Sequence, residues 1–244
     1  MLSFPLMDRV TVRYDVPVAA DEWTLPEVPV PESVAHRLIV EFLAALLRAW
    51  VARFSRDAFV AENLAFRWDE RRPKTGVDPD VCLIEPAPPD PRSLRSLQLW
   101  QPGHSAPRLA IEVVSRNHPY KDYAVVPDKY AASGTQELWV LDPELIGPRQ
   151  RGGPHRLQRW QRAPDASFVR DYAGDGPMYS NQLRAWVFAD ERGEFGIADD
   201  EACTIRWLTA EQSSRAEAEA ARSDERAARK RVAELEAELA RLKR

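Results

Sequence analysis

The sequence predicts an α/β domain with antiparallel additions, followed by a helical tail. Three observations carry that expectation. The first is a β-branched apolar run at 109–114, a helix-like stretch closing at Ser133-Gly134, and a second apolar run at 137–141. Strand, helix and strand in that order form a crossover with a parallel pair, right-handed by the usual rule. The second is a pair of short segments at 156–161 and 167–172 that read as a hairpin. The third is the stretch from Glu211 to Arg244, which has neither Gly nor Pro and is mostly Ala, Glu, Arg and Leu.

Taken in order, residues 1–30 are irregular and spaced by Pro5, Pro17, Pro26 and Pro29. Pro31 is expected to open the first helix, with Glu32 beside it. Apolar residues at 34, 38, 42 and 46 and at 39, 43, 47 and 50 give that helix one apolar face through Val51. Phe59-Val60 and Leu64-Ala65-Phe66 read as strands joined around Glu62-Asn63, a hairpin. Arg71 to Gly76 is a basic turn, and Val81 to Ile84 a strand. The proline-rich stretch 85–108 reads as a long loop, which in a compact domain is more often functional or mobile than idle. Lys121 to Ser133 reads as turn then helix, with Pro127 in the first turn and Gly134 as the cap. Residues 144–155 form a Gly/Pro/Arg loop, and short strands are expected at Ala185–Phe188 and Thr204–Leu208. The expected organisation is an irregular segment at 1–30, an α/β domain at 31–208 and a helical tail at 209–244.

In the tail, Val232, Leu235, Leu239 and Leu242 repeat as the a and d positions of a heptad. That register sets Arg231 against Glu236 and Glu238 against Lys243 as g-to-e pairs, opposite in sign and suited to a parallel dimer. Upstream the seam weakens to Ala218, Ala221, Glu225 and Ala228. Two readings stay open: a homodimer through residues 211–244, or a solvated single helix laced with Glu–Arg pairs.

At 244 residues, 44% of them hydrophobic, the chain has enough material for one good core plus an appendage. The net charge is −4, and the tail holds nine basic against eight acidic groups, leaving 25 against 30 in the rest. A dedicated nucleic-acid binder shows a basic balance, so any DNA contact must use a local basic patch or a metal that neutralises acids. Cys82 and Cys203 cannot build a zinc cluster and read as small buried hydrophobes. His36, His104, His118 and His155 are scattered without metal-ligand spacing. No secretory leader and no membrane-spanning run is evident, so a cytoplasmic location and no membrane partner are expected.

Asp80 and Glu112 sit on or against β-branched apolar runs. A carboxylate there is costly to bury unless it is paired, hydrogen-bonded or bound to a metal. Alone, Asp80 reads as a strand cap and Glu112 as half of an ion pair. Together, on neighbouring strands and followed by a lysine-bearing helix, they have the layout of a metal-dependent phosphodiesterase site. Such a site needs a divalent ion to neutralise charge and to acidify an attacking water. Hard ions such as Mg²⁺ take carboxylate oxygens, and the main-chain carbonyl of Val113 would add to the inner shell. A lysine would orient the water and stabilise developing charge. Ser115 lacks a histidine–acid pair to activate it and reads as a turn or cap hydroxyl. Asp122 reads as a helix cap or a support for the lysine, and Tyr130, Leu138 and Trp139 as core. Glu32 or Glu41 could reach the metal from the first helix.

The ordered set is Pro79-Asp80-Val81, Ile111-Glu112-Val113-Val114-Ser115, Asp122, Tyr130 to Gly134, Glu137-Leu138-Trp139 and Asp142-Pro143. It resembles the Uma2 family, also called DUF820, of endonucleases in the PD-(D/E)XK restriction-endonuclease-like superfamily. The likeness is strong over residues 79–143 and weaker from the first helix to about residue 208. It implies a mixed β-sheet flanked by helices, a DNA endonuclease activity, and Mg²⁺ (or Mn²⁺) held by Asp80 and Glu112. The lysine departs from the pattern. The superfamily position two residues after the second acid is Val114, and the family position in the helix is Val126. Lys129 and Lys121 are the remaining candidates, and Lys129 is favoured because it lies one helical turn past Val126. The alternative is a catalytically degenerate scaffold that binds nucleic acid or a protein partner and oligomerises through its tail. Hydrolysis of another phosphoester is a third reading, since fold alone does not fix substrate.

Overall fold

The apolar stripe of the first helix decides where it packs. In the computed structural model, which describes residues 11–12, 23, 33–116, 119–149 and 153–242, helix α1 spans Val34–Arg53. Its buried residues His36, Val40, Leu43, Leu47 and Trp50 recur at helical spacing. Ser33 caps the helix, its hydroxyl accepting from the His36 backbone N–H at 3.1 Å. The helix starts at Val34, not at the Pro31 expected to open it, because Ser33 supplies the cap; Pro31 and Glu32 lie outside the described residues.

Seven strands form one mixed sheet: β1 (Thr11–Val12), β2 (Phe59–Glu62), β4 (Val81–Ile84), β6 (Leu109–Val113), β7 (Glu137–Leu141), β8 (Leu157–Arg162) and β9 (Phe168–Gly174). Their order is β1-β9-β8-β7-β6-β4-β2. β6 and β7 pair in parallel, and the chain between them forms α2 (Pro119–Ala124) and α3 (Val126–Ser133). Pro127 falls in the first turn of α3, and Gly134 at φ 84° ends it.

Every residue of β6 is buried because both faces of the sheet are covered. Leu109, Ile111 and Val113 meet α1, while Ala110 and Val114 meet Tyr123, Val126 and Tyr130 from α2 and α3. Leu43 and Leu47 are wholly enclosed in the first of these layers, and burying each contributes roughly 1.5–3 kcal/mol. The α1 layer also receives a three-stranded antiparallel sheet of β10 (Met178–Ser180), β11 (Ala185–Ala189) and β12 (Phe195–Ala198). Glu137, fully buried at the start of β7, accepts hydrogen bonds from Ser180 Oγ and Trp139 Nε1, both at 2.6 Å, and from the Asn181 backbone at 3.1 Å. That carboxylate fixes the end of β10 to the large sheet.

Several local expectations are corrected. Residues 59–66 do not form a hairpin: β2 pairs with β4, and β3 (Ala65–Arg67) pairs in parallel with β5 (Ser96–Gln98). The stretch 85–108 therefore contains a strand, and also a 3-10 turn at Pro91–Ser93. Residues 204–208 contribute only an isolated bridge, Arg206 to Ala198, and the strand lies at β12 instead. Cys82 is buried as expected, but Cys203 is half-buried in a turn at φ 56°; both are free. No helix among the described residues is long and apolar enough to cross a membrane.

The chain divides into two compact units, Met1–Trp207 and Leu208–Arg244. The second is essentially helix α4, Ala210–Leu242. Its start is set by a reciprocal cap: the Gln212 backbone donates to Thr209 Oγ1 at 3.2 Å, and the Thr209 backbone donates to Gln212 Oε1 at 2.9 Å. Val232, Leu235, Leu239 and Leu242 are all exposed on it.

Candidate functional site

The site is built where β4 begins and β6 ends. The register pairs Val81 with Ile111, so Asp80 stands opposite Glu112. Residues opposite one another on paired strands share a face. Both acids are inside the protein, Asp80 at 8% and Glu112 at 3% exposure. The Val113 backbone N–H donates to Asp80 Oδ2 at 2.6 Å. The Tyr130 hydroxyl, from α3, donates to Glu112 Oε1 at 2.6 Å.

His36 enters from the opposite layer. Its Nε2 lies 3.2 Å from Asp80 Oδ2 and 3.0 Å from the Val113 carbonyl oxygen. Spacing gave no hint of this, because His36 and Asp80 are far apart in sequence. A signal did exist: His36 falls on the same stripe as Val40, Leu43 and Leu47, so a polar ring was bound to point inward. Glu41, by contrast, is exposed and paired with Arg37 at 3.5 Å, away from the acids.

Asp122 is charge-coupled to Asp80 and Glu112, and Asp78 shares their neighbour Lys121. Asp122 is not a cap. It sits within α2, is buried, and takes a hydrogen bond from the Ser115 backbone. Burial pushes its carboxyl up to about 7, with Lys121 opposing and Asp80 reinforcing the rise. Burial and then the Asp80 charge push the Glu112 carboxyl well above the ordinary range, with Lys121 opposing. Burial also raises Asp78, whose Oδ1 is enclosed without a hydrogen-bond partner.

The two lysines are placed differently. Against the desolvation that lowers it, the charges of Glu112, Asp122, Asp80 and Asp78 hold Lys121 above its ordinary value. Lys129 is buried, and among these acids its charge tells on Asp78. Val114 and Val126, at the positions where the family pattern has lysine, are both buried in the apolar core beside Tyr130.

The donor chemistry fits a hard divalent ion. Asp80 and Glu112 offer carboxylate oxygens and Val113 a carbonyl. Burial first, and the neighbouring Asp80 charge after it, disfavours the ionised form of Glu112 and of Asp122. A divalent cation would relieve that penalty. Among the described residues no three His, Cys, Asp or Glu side chains gather to cage an ion by themselves, so a carbonyl and water belong to any such shell.

Fold and site together define an α/β protein with a buried acid cluster at one end of a mixed sheet. A model of the Uma2 family, described as "Putative restriction endonuclease", matches residues 20–147. That is more than half of the chain, and the chain belongs to the Uma2 family. Among solved structures it is similar to one described as "a putative nuclease belonging to DUF820 from Anabaena variabilis", at 15% identity and a TM-score of 0.40. That match covers 64% of this chain and 76% of the other. No curated protein matches the chain.

Proposed function

We propose that this protein is a metal-dependent DNA endonuclease whose ion is held by Asp80, Glu112 and the Val113 carbonyl. The observation that carries the reading is the burial of the two acids opposite each other at the ends of β4 and β6. When bound, Mg²⁺ or Mn²⁺ would neutralise phosphate charge and lower the pKa of an attacking water. Tyr130 holds the Glu112 carboxylate in one orientation through its 2.6 Å hydrogen bond. Lys121 faces the charge that develops on the phosphate. Its charge is coupled to Glu112, Asp122, Asp80 and Asp78, and Lys129, buried on α3, is the other candidate for the same role. The tail would join two copies through Val232, Leu235, Leu239 and Leu242, which α4 leaves exposed.

A second reading has its own support. Valines fill both lysine positions of the family pattern, and each is part of the core. A chain so altered could keep the acid site and its partners while having lost cleavage. Cleavage of supercoiled and linear DNA with Mg²⁺ or Mn²⁺ separates the readings. The enzyme requires nicking that disappears in Asp80→Ala and Glu112→Ala, and whichever of Lys121→Ala and Lys129→Ala loses more of it names the assisting lysine. Absence of cleavage with every metal, alongside retained folding, leaves the binding scaffold.

A further inference from the structure

We propose that the basic turn bearing Arg71, Arg72 and Lys74 grips the phosphate backbone of duplex DNA and seats the duplex at the acid site. This rests on the reading of the protein as a DNA endonuclease.

The turn is built to hold its cations outward. Phe66 and Val77 close it with two backbone hydrogen bonds, 2.8 and 3.1 Å, and both side chains are buried in the layer that holds Tyr130. Between them the chain turns twice: the Arg72 backbone donates to the Asp69 carbonyl at 3.0 Å, and the Thr75 backbone to the Arg72 carbonyl at 2.9 Å. Arg67, at the end of β3, donates to the Pro73 carbonyl and to Ser96 Oγ on β5, and so braces the turn from within. Asp69 spends a carboxylate oxygen on the Arg71 backbone at 3.0 Å. Arg71, Arg72 and Lys74 themselves are exposed, and none is in an ion pair among the described residues. Exposed arginines elsewhere are matched: Arg48 with Glu62, Arg53 with Asp199 and Arg116 with Glu144. From Arg67 to Lys74 four basic groups stand against Asp69 and Glu70, an excess of two cations, on a chain whose residues ahead of the tail hold 25 basic against 30 acidic groups. Such a local excess is what an acidic chain needs to meet a polyanion.

The turn also stands beside the site. Burial raises the Asp78 carboxyl, and the charges of Lys121, Arg67 and Lys129 oppose the rise. Lys121 acts in the same way on Glu112, so the base of the turn and the acid pair share a neighbour. Lys74 is six residues from Asp80, a span of at most about 20 Å. At a rise of about 3.4 Å per base pair, the phosphates it meets lie within roughly six pairs of the one attacked. Contacts of this kind fix the position of a duplex without reading its sequence.

The test is binding of a fluorescent duplex of about 20 base pairs to the full chain between about 50 and 200 mM salt, with Ca²⁺, which also takes oxygen ligands, in place of Mg²⁺. Wild type is compared with Arg71→Ala/Arg72→Ala/Lys74→Ala and with Arg226→Ala/Lys230→Ala/Arg241→Ala, which removes three exposed cations of α4. Each phosphate contact adds about 0.9 to the slope of log affinity against log salt. The turn variant should therefore have a slope smaller by about 2.7, and wild type should lose roughly 40-fold more affinity across that range. The tail variant should match wild type. In cleavage with Mn²⁺ the turn variant should raise KM and keep kcat. Equal slopes in wild type and turn variant, with wild type binding, overturn the role of the turn and leave the endonuclease standing. A tail variant whose slope falls as far overturns it too, since net charge alone would then account for the loss. Wild type that neither binds nor cleaves duplex at any salt removes the endonuclease reading and the turn with it. Should the alanine chain fail to fold, glutamine at the same three positions repeats the comparison.

Discussion

Tyr130→Phe isolates one oxygen. The ring is fully buried, and its hydroxyl donates to Glu112 Oε1 at 2.6 Å. Burial and the Glu112 charge push that hydroxyl well above its ordinary pKa, so it remains the donor at any working pH. Phenylalanine keeps the ring volume and leaves Glu112 Oε1 without its partner in a site where water cannot replace it. An unsatisfied buried polar group costs about 1–3 kcal/mol. For a unit of this size each kcal/mol lowers the melting temperature by about 2–4 °C. The same change frees the Glu112 carboxylate to turn, and loss of such an outer partner weakens metal binding roughly 10- to 100-fold. The assays are urea unfolding followed by tryptophan fluorescence, and Mn²⁺ titration of the same samples. Stability and Mn²⁺ affinity both equal to wild type would refute the role given to Tyr130 and the orientation given to Glu112.

Without metal, the Asp122 carboxyl at about 7 and the raised Glu112 carboxyl bind protons more tightly in the folded chain than in the unfolded one. Their contribution to stability is therefore full below the unfolded value, 3.8 for Asp122, and is lost as pH rises through about 7. Melting temperatures should fall between pH 5 and pH 8, and Asp122→Asn should flatten the slope; a wild-type profile as flat as the variant's contradicts the cluster. A Cβ at Gly147 would overlap the Tyr123 ring, whose hydroxyl donates to Asp142 Oδ2 at 2.9 Å. Gly147→Ala should cost about 1–3 kcal/mol by overpacking and, by shifting α2, reduce any cleavage that depends on Lys121; unchanged melting argues against that close fit. Leu235→Lys with Leu239→Lys should convert a sedimenting dimer to a monomer while leaving the melting of the α/β unit untouched; a wild type that sediments as a monomer at all concentrations ends the tail proposal.

The parts of the fold legible in the sequence are those whose evidence is local. The β6–α3–β7 unit could be read because its strands are continuous apolar runs and Pro127 and Gly134 punctuate the helix. The Asp80–Glu112 pair could be read because acids stand out in such runs. Pairing between strands is another matter. Phe59–Val60 and Leu64–Phe66 are adjacent in sequence, yet their partners are β4 and β5, chosen by surfaces that only the assembled core brings together. Asn63, at φ 49° between them, donates its backbone N–H to the Pro79 and Asp80 carbonyls, on the β4 side and not toward β3. His36 was hidden for the same reason, reaching Asp80 and Val113 across a long stretch of chain. Asp122 was already in the ordered motif set, as a cap or a support for the lysine, and what the sequence did not show was its burial beside Asp80 and Lys121.

The acids stand in the sheet, His36 descends from one covering layer, and Tyr130, Asp122 and Lys121 rise from the other. The site is thus a rivet through all three layers. The His36 contacts with Asp80 and the Val113 carbonyl tie α1 to the sheet, and the Tyr130 hydrogen bond to Glu112 ties α3 to it, so loosening either layer would disturb the same pair of acids.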